Sequence, residues 1–452
     1  MLDLQQLFSE PRHLIVICGG AVSGSEAAAL CAERGSIAVV LEQNVRPYGK
    51  IEDGLPRWHE KLRQQEYSRI DANLSRPGVF FVPRATLGRD YALAQLRAEP
   101  GVAAVLLANG AWRDRPLQLP GVEHLQGKGF AYQNPFVYWF NHYEEPSYDG
   151  AAYGVEPGAV VIGGGLASVD VAKIINLELY RTALAKRGVA ISIMELEHQG
   201  IPKVLAAHGL TAEQLGIDGA TLYYRRRVQD MPIAFPKDGS PAQAEKTERI
   251  REKMVQILAQ KYLLRVKDCH IPVATLTDGE QLRGLRFRRS QLENGKLKEI
   301  AGSDYDVPSR LVVSSIGSVP EPLPGIPVRG ELYDYADEST GALRGVGGVF
   351  GLGNVLTGKG NIHDSRDNAR EISARVIAEY LGLTDVREAN PFDAAHASRR
   401  AELEPLVARA ALAPKATPDE LRAFFSSVVF ARWRELDYAG DYRAWIERHP
   451  PG

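Results

Sequence analysis

The feature that most constrains the fold is a pattern that occurs twice: a short apolar run, a glycine-rich turn and a helix-forming stretch. The first copy follows the mostly apolar residues 13–18 with the turn Gly19-Gly20-Ala21-Val22-Ser23-Gly24. The second copy starts 144 residues later and follows residues 159–162 with Gly163-Gly164-Gly165-Leu166-Ala167-Ser168. A buried parallel strand that turns tightly into a helix gives this pattern. The sequence therefore predicts an α/β protein with two parallel-sheet domains.

The first turn fits the fingerprint of a dinucleotide-binding βαβ unit, with alanine in the middle position. In this fingerprint the first glycine permits a tight turn, the small middle residue lets the backbone approach a pyrophosphate, and the third glycine lets the helix pack against the sheet. A second apolar run ends at Glu42, where a carboxylate can accept hydrogen bonds from ribose hydroxyls. An ordinary glycine turn without a ligand is the alternative. We therefore predict dinucleotide contacts at Gly19, Gly20, Ala21, Gly24 and Glu42.

The second turn has the same context, with a small serine in place of the third glycine. A helix N-terminus at this point offers free N–H groups and a positive dipole end to phosphates. Two fingerprints in one chain indicate two dinucleotides, and the usual pair is FAD with a nicotinamide nucleotide, because hydride transfer needs a donor and an acceptor. The second turn predicts contacts at Gly163, Gly165, Leu166 and Ser168.

Two arginines indicate which nicotinamide nucleotide the second domain prefers. Arg225 and Arg226 follow the apolar residues 222–224, and an arginine there can bind the 2′-phosphate of NADP in a forked geometry. A solvated basic face is the alternative interpretation. Glu195 or Glu197, after another apolar run, would instead bind the ribose of NAD, and the residues themselves leave this possibility open.

Composition excludes several other functions. The chain has 452 residues, enough for two to four domains, and its net charge of −2 argues against nucleic-acid binding over a whole surface. The three cysteines, Cys18, Cys31 and Cys269, have no C-x-x-C spacing. An all-cysteine iron–sulfur cluster, a zinc ribbon and a dithiol centre are therefore not expected. Neither metal-ligand spacing nor a hydrolytic triad is evident, and we expect no metal.

The same data bear on location. A low cysteine count suits a reducing cytosol, and the acidic residues near the start of the sequence do not resemble a secretory signal. No apolar run approaches the roughly 18–20 residues that a membrane-spanning helix needs. We therefore expect a cytoplasmic protein without a membrane span.

These residues resemble the two-Rossmann flavoprotein reductases, in particular the adrenodoxin-type ferredoxin–NADP reductases and the small subunit of glutamate synthase. The resemblance extends over about residues 12–383. Its most specific match is Tyr224-Arg225-Arg226 with Met231-Pro232 close behind, which is similar to the NADP-binding pattern of the glutamate synthase subunit and favours NADP. Further similar segments are residues 47–59, 87–90, 107–111 and 353–362.

The resemblance implies the remaining site residues. Residues 47–59 would wrap the flavin and place His59 near it as the one candidate catalytic residue; a structural histidine is the other interpretation. Residues 353–362 would place backbone N–H groups and a helix start against the flavin. Additional FAD contacts are thus expected at Gly49, Gly54, Gly110, Gly353, Asn354, Gly360, Asn361 and Ile362.

The resemblance also implies a domain arrangement: two doubly wound, three-layer ββα Rossmann-like domains, the second inserted in the first. We expect an FAD-binding domain at residues 1–115 and 326–385, and an NAD(P)H-binding domain with a connector at residues 116–325. A helical C-terminal extension is expected at residues 386–452. The extension has no counterpart in the resemblance, and it is either a helical cap that buries its own aromatic residues or a docking surface for a partner.

The implied activity is transfer of a hydride from NADPH to FAD, followed by electron transfer to an external acceptor such as a ferredoxin or a partner redox subunit. The acceptor must be external because the chain has no cysteine pair or cluster of its own. Two departures limit the analogy. Asn354 replaces a tryptophan of the adrenodoxin-type enzymes, and no room precedes Leu14 for the cysteine-rich module of the glutamate synthase subunit, so glutamate synthesis is not expected. The alternatives are a flavin monooxygenase or oxidase for a small organic substrate, and a non-catalytic dinucleotide-binding protein.

Overall fold

The computed structural model describes residues 7–358, 361–383 and 413–451, and both helices and strands occur in it. The strands are β1 (Leu14–Cys18), β2 (Ile37–Leu41), β3 (Val79–Val82), β4 (Val102–Leu107), β5 (Arg113–Asp114), β6 (Phe130–Tyr132), β7 (Val160–Gly163), β8 (Thr221–Tyr223), β9 (Arg265–Lys267), β10 (His270–Asp278), β11 (Gln281–Glu293), β12 (Lys296–Glu299), β13 (Tyr305–Pro308), β14 (Val312–Ser315), β15 (Ser318–Val319), β16 (Val328–Arg329), β17 (Leu332–Tyr333), β18 (Tyr335–Asp337), β19 (Ala342–Leu343) and β20 (Val349–Gly351). The helices are α1 (Val22–Glu33), α2 (Lys50–Asp53), α3 (Glu60–Leu74), α4 (Leu93–Ala98), α5 (Gln133–His142), α6 (Leu166–Ala185), α7 (Ile193–Gln199), α8 (Ile201–Ala207), α9 (Ala212–Leu215), α10 (Pro241–Tyr262), α11 (Asn354–Thr357), α12 (Ile362–Arg375), α13 (Pro418–Phe424), α14 (Phe430–Glu435) and α15 (Tyr442–Arg448).

The described residues form two units. The first comprises those within residues 1–52, 60–113 and 318–452, and the second comprises residues 53–59 and 114–317. Each unit has its own sheet of parallel strands, to which the first unit adds the antiparallel strands β18 and β19 at one edge. The expected mixed α/β architecture with parallel sheets is therefore confirmed.

The first unit is built on a seven-stranded sheet with the order β18-β19-β20-β4-β1-β2-β3. Strand β1 lies between β4 and β2 and is parallel to both, with Cys18 opposite Leu107 on one side and Leu41 on the other. Every residue of β1 and β2 is buried, which explains why both runs are wholly apolar. The carboxyl ends of the three strands meet at one edge of the sheet, which is where ligands bind in open α/β sheets.

The second unit is built on a five-stranded parallel sheet with the order β6-β14-β7-β8-β9. Its central strand, β7, has Ile162 opposite Ser314 of β14 and Tyr223 of β8. Helix α6 follows β7 directly and packs on both β7 and β14. A separate antiparallel sheet contains β10, β11, β12 and β13. The second glycine turn therefore lies at the carboxyl edge of the parallel sheet, between β7 and α6.

The C-terminal residues 413–451 are largely helical and pack on the first unit. Aromatic side chains of this segment are covered, as the cap interpretation of the extension expects, and the docking interpretation stays a prediction. These side chains pack on the core of the first unit. Residues 386–412 of the expected extension lie outside the described residues. The buried aromatic residues are Phe424, Phe425, Tyr438, Tyr442 and Trp445.

Three further properties concern the described residues as a whole. None of their helices combines the length and the apolar composition required to cross a membrane. No group of three or more His, Cys, Asp or Glu side chains within them is arranged to hold a metal ion. The three cysteines are free thiols, and Cys18 and Cys31 are buried.

Candidate dinucleotide-binding sites

The first glycine turn is closed tightly onto the sheet. The Gly19 N–H donates a 2.7 Å hydrogen bond to the carbonyl oxygen of Leu41, and the φ angle of Gly19 is +104°. A Cβ atom on Gly19 would overlap the carbonyl oxygen of Ala108, and one on Gly24 would overlap the carbonyl oxygen of Gly19. Both positions therefore require glycine. Gly19 needs it for its positive φ angle, and Gly24 needs it because α1 passes the turn at contact distance.

The start of α1 is open to a ligand. Its N-cap residue, Ala21, makes no side-chain capping hydrogen bond, and the first turn of the helix carries no acidic residue. The N–H groups of a first helical turn have no partner within the helix and can bind an anion. The turn between β1 and α1 thus has the geometry of a phosphate site.

Glu42 is buried directly after β2 and is bonded to the turn itself. Its Oε2 accepts a 2.8 Å hydrogen bond from the Gly20 N–H, and its Oε1 accepts a 2.9 Å hydrogen bond from the Asn44 N–H. A carboxylate offers about four acceptor positions, so these bonds are compatible with the predicted ribose contact. Glu42 therefore fixes the turn and also lies where it can meet a bound nucleotide.

The segment after β20 returns to the start of α1. Gly353 has a φ angle of +62°, and a Cβ atom there would overlap the hydroxyl oxygen of Ser23 in α1. Its N–H donates a 2.6 Å hydrogen bond to Oδ1 of Asn368, and Ser365 donates a 2.8 Å hydrogen bond to Oδ1 of Asn354. The structure therefore brings Gly353, predicted from the C-terminal motif, to the first glycine turn, and it joins the next residue, Asn354, to α12.

Helix α12 begins at Ile362 with a complete capping box. Asn361 accepts a hydrogen bond from the Asp364 N–H, and the Asp364 side chain accepts one from the Asn361 N–H. This cap fixes the start of the helix that the sequence places at the flavin. Gly360 lies outside the described residues, so its predicted contact stays a prediction.

Three more predicted positions lie beside the first turn. Gly49 has a φ angle of +52°, and a Cβ atom there would lie 3.0 Å from Cβ of Ala21. Asn109 donates a 3.1 Å hydrogen bond to the Tyr333 hydroxyl, while its Oδ1 is buried without a partner in the described part of the chain. Gly110 follows with a φ angle of +69°. A small-residue cradle, an open helix start and a buried unsatisfied acceptor in one unit fit an extended dinucleotide such as FAD.

The second glycine turn is crowded on one side and open on the other. Cβ atoms on Gly163 and Gly164 would overlap the carbonyl oxygen of Ser315 and the ring of Tyr224, respectively. A Cβ atom on Gly165, in contrast, would meet only Cγ of Pro232, at 4.0 Å. Space for a ligand therefore lies above Gly165.

Gly165 is also the N-cap residue of α6. No side chain caps this helix, because glycine has none, and the Ser168 hydroxyl donates its 2.6 Å hydrogen bond to the carbonyl oxygen of Gly165. Leu166, the first residue of the helix, is about half exposed. The second turn thus offers the same anion-binding features as the first.

Two arginines lie beside the second turn without ion-pair partners. Arg225 and Arg226 follow β8, which is the strand next to β7. The following arginine, Arg227, makes two hydrogen bonds to Asp230, at 3.0 and 2.9 Å. Within the described ranges, neither Arg225 nor Arg226 forms a side-chain hydrogen bond or salt bridge. Two guanidinium groups are therefore available at the place where the 2′-phosphate of NADP is expected.

The acidic alternative for the second site is wrong. Residues 193–199 form helix α7 instead of a strand, so neither Glu195 nor Glu197 lies at the end of a strand beside β7. Glu197 is instead paired with Lys173 at 2.9 Å and accepts a 2.6 Å hydrogen bond from Tyr262. Burial alone would raise the pKa of Glu197, but these two hydrogen bonds hold that pKa below its ordinary value.

The segment after the arginines is fixed by a residue that sequence reasoning missed. Arg251 of α10 donates hydrogen bonds to the carbonyl oxygens of Gln229 and Ala234, which brackets the segment that carries Pro232. The Tyr224 hydroxyl also donates to a carbonyl in this segment, at 3.0 Å. The motif Met231-Pro232 indicated that this segment is important. No local pattern indicated that Arg251, about twenty residues later, would bind it.

Gly54 and His59, predicted from the resemblance, belong to the second unit together with the rest of residues 53–59. His59 Nε2 lies 3.7 Å from Oδ1 of Asp170, beyond hydrogen-bond distance. The neighbouring Trp58 ring packs against the Lys173 ammonium, which lies 4.4 Å from the ring centroid. The flavin contacts of Gly54 and His59 stay predictions.

A buried histidine anchors residues 53–59 within the second unit and predicts a pH dependence. Both ring nitrogens of His142 lie at carboxylates: Nδ1 is 2.7 Å from Glu145 and Nε2 is 3.2 Å from Asp53. Burial lowers the pKa of His142, but these hydrogen bonds outweigh burial and raise that pKa above the ordinary value of 6.5. The stabilisation is present below the ordinary pKa and is lost as pH rises through the raised pKa.

We therefore expect the free energy of unfolding to fall as pH rises above about 6.5, and His142→Gln to remove this contribution. Denaturant titrations between pH 5.5 and 8.5 measure the effect, and His208→Gln, at an exposed position, serves as the control. An unchanged pH dependence in His142→Gln would show that the two carboxylates do not stabilise the charged histidine.

No protein-family model matches the chain. Curated proteins with similar sequences include the mitochondrial NADPH:adrenodoxin oxidoreductase of Arabidopsis thaliana, which is 26% identical over 358 residues, or 71% of this chain and 70% of the relative. The NADPH-ferredoxin reductase FprA of Mycobacterium leprae is 25% identical over 423 residues, or 86% of this chain and 88% of the relative. A putative NADPH glutamate synthase small chain of Cereibacter sphaeroides is 24% identical, with 78% and 75% coverage.

Solved structures of FprA from Mycobacterium tuberculosis share the fold. One matches with a TM-score of 0.61 at 20% identity and covers 88% of this chain and 90% of the other. A complex of the same protein with NADPH matches with a TM-score of 0.60. The chain is thus similar in sequence to adrenodoxin-type and FprA-type NADPH reductases and to the glutamate synthase small chain, and it shares its fold with FprA.

Proposed function

We propose that the chain is an FAD-dependent NADPH oxidoreductase that passes electrons to a ferredoxin-type acceptor. The observation that carries this proposal is a pair of open glycine cradles, one in each unit, followed by Glu42 in the first and by Arg225 and Arg226 in the second. The names of the relatives support NADPH as the donor and ferredoxin or adrenodoxin as the acceptor.

Each nucleotide is assigned to one unit. FAD would bind the first unit at residues 19–24, with Glu42 at its ribose and residues 353–362 at the flavin. NADPH would bind the second unit at residues 163–168, with the paired arginines at its 2′-phosphate. Along the chain, the NADPH-binding unit would then be an insertion in the FAD-binding unit, as the resemblance implies.

The chain's own groups bind, orient and shield the reactants. When bound, FAD supplies the capacity to accept a hydride and to release electrons one at a time. Helices α1 and α12 supply N-termini, whose positive dipole ends favour negative charge on a bound group. Burial raises the pKa of the Cys18 and Cys31 thiols to about 12, which disfavours the thiolate form that thiol redox chemistry needs. Electrons would therefore leave to an external acceptor.

We expect the purified protein to be yellow with stoichiometric FAD, and to lose this colour anaerobically on addition of NADPH, because each unit has one candidate dinucleotide site. Absorbance at the flavin band measures both properties, and NADH is the matched donor for comparison. A colourless protein that cannot be reconstituted with FAD would contradict the proposal and would favour a non-catalytic binding protein.

The acceptor is tested in a second step with the reduced protein. We expect anaerobic reoxidation by an added ferredoxin, because the described residues provide no dithiol or metal cluster to hold the electrons. Reoxidation that requires oxygen together with a small organic substrate would instead identify a monooxygenase or oxidase.

A further inference from the structure

The C-terminal extension contacts the first dinucleotide site through one loop. We propose that the described residues 413–451, here called the extension, position the loop of residues 43–49 and thereby set the affinity of the first unit for FAD. The proposal rests on the FAD assignment made above. It gives a role to a segment that has no counterpart in the resemblance.

The loop touches the glycine turn directly. A Cβ atom on Gly20 would lie 3.0 Å from Cβ of Pro47, and one on Gly49 would lie 3.0 Å from Cβ of Ala21. The Asn44 N–H donates a hydrogen bond to one oxygen of the buried Glu42. The other oxygen of Glu42 accepts a hydrogen bond from the Gly20 N–H in the turn. A displaced loop would therefore move both the small-residue cradle and the acid predicted to bind the ribose.

The loop has no regular secondary structure of its own, and the extension holds its backbone. The Trp445 indole N–H donates a 2.8 Å hydrogen bond to the carbonyl oxygen of Val45. Arg46 donates a 3.1 Å hydrogen bond in the other direction, to the carbonyl oxygen of Pro450. These bonds join residues about 400 positions apart in the sequence. Trp445 is only 3% exposed, so water does not compete for its N–H group.

A half-buried carboxylate makes a second connection to the same loop. Asp71 of α3 accepts a 2.6 Å hydrogen bond from the Tyr442 hydroxyl and a 3.1 Å hydrogen bond from the Tyr48 hydroxyl. The Tyr48 ring in turn stacks on Tyr67, with 4.0 Å between ring centroids. Tyr442 therefore fixes Asp71, and Asp71 fixes the residue next to Gly49.

Loss of either anchor should weaken FAD binding without removing any predicted FAD contact. When a binding-competent conformation is only partly populated, the apparent affinity falls by the populated fraction. Trp445 and Tyr442 are thus positioning residues, and their effect should appear in the dissociation constant for FAD and not in the interaction of the second unit with NADPH.

The chain offers matched controls for both residues. Trp433 also donates an indole hydrogen bond from the extension, at 2.9 Å, but to the carbonyl oxygen of Phe81 in β3, away from the loop. Tyr91 also has a buried hydroxyl bonded across the same interface, at 3.2 Å, to the carbonyl oxygen of Val428. Trp433→Phe and Tyr91→Phe therefore remove the same kinds of bond from the extension without touching the loop.

The experiment is FAD titration of the apoprotein, followed by flavin fluorescence, with the unfolding midpoint of each variant measured separately. We expect Trp445→Phe and Tyr442→Phe each to raise the dissociation constant for FAD about 2- to 10-fold, as one lost hydrogen bond allows. Trp433→Phe and Tyr91→Phe should lower the unfolding midpoint to a similar extent and leave FAD affinity unchanged. The KM for NADPH should be unchanged in all FAD-saturated variants.

Two outcomes would overturn the inference: FAD affinity that is unchanged in Trp445→Phe and Tyr442→Phe, or affinity that falls equally in all four variants in proportion to their stability. Failure of the underlying function is distinguishable, because the wild-type apoprotein itself would then not bind FAD.

Discussion

Replacing Arg225 and Arg226 together by alanine is expected to raise the KM for NADPH by about 100-fold while the KM for NADH changes by less than about twofold. The reason is the 2′-phosphate, the only group that distinguishes the two nucleotides. Each charge-assisted hydrogen bond to a phosphate contributes roughly 1.5–3 kcal/mol, or about 10–150-fold in affinity. Arg225 is exposed at the end of β8, so the lower end of this range applies to it.

The neighbouring Arg227 is the matched control for this prediction. Its guanidinium group is already held by two hydrogen bonds to Asp230, so Arg227→Ala should change neither KM selectively. Steady-state kinetics with both nucleotides measure all variants. An equal rise in both KM values in the double variant would show that the two arginines act on the shared part of the nucleotides and not on the 2′-phosphate.

The sequence predicted the parts of the sites that depend on local backbone geometry. Gly19 needs a positive φ angle, and Gly24 lies in contact with it five residues later, so the spacing of the turn is itself the signal. Glu42 was predictable for a related reason, because a buried strand of fixed length brings its first polar residue to the sheet edge. The second turn was predictable from its glycine spacing in the same way. Arg225 and Arg226 were predictable because the apolar residues 222–224 precede them.

The contacts that the sequence did not predict join distant residues. The bond from Trp445 to Val45 and the pair of bonds to Asp71 depend on tertiary packing, which no local pattern encodes. Arg251 was missed because it is one of several charged residues on its helix, and its bonds go to backbone carbonyls that carry no residue identity. Residues 193–199 were ambiguous because a short apolar run suits a strand or a helix equally well.

Two helices were also missed, for a related physical reason. Residues 60–74 form α3 with a largely polar composition, and residues 133–142 form the aromatic-rich α5. The sequence analysis predicts neither helix. In both, tertiary packing decides the helix where the local pattern is weak.

The open space above Gly165 leads to the second large expected effect: Gly165→Val should fold normally yet lose both nicotinamide nucleotides. Gly165 has φ and ψ angles of −89° and 175°, which valine adopts readily, and only Pro232 lies near the added Cβ atom. The two added methyl groups would occupy the space through which a pyrophosphate approaches the backbone. We expect the KM for NADPH and for NADH to rise together by about 100-fold or more, with FAD content unchanged.

Gly154→Val is the control for Gly165→Val, because Gly154 is exposed in the same unit and nothing lies within 4 Å of its Cβ position. It should leave both KM values unchanged. The comparison with the double arginine variant is the sharper step, since a blocked pyrophosphate site affects the two nucleotides equally whereas a lost 2′-phosphate contact affects NADPH alone. If Gly165→Val folded and still oxidised NADPH at the wild-type KM, the nucleotide would not cross this turn, and Arg225 and Arg226 would lose their assigned ligand as well.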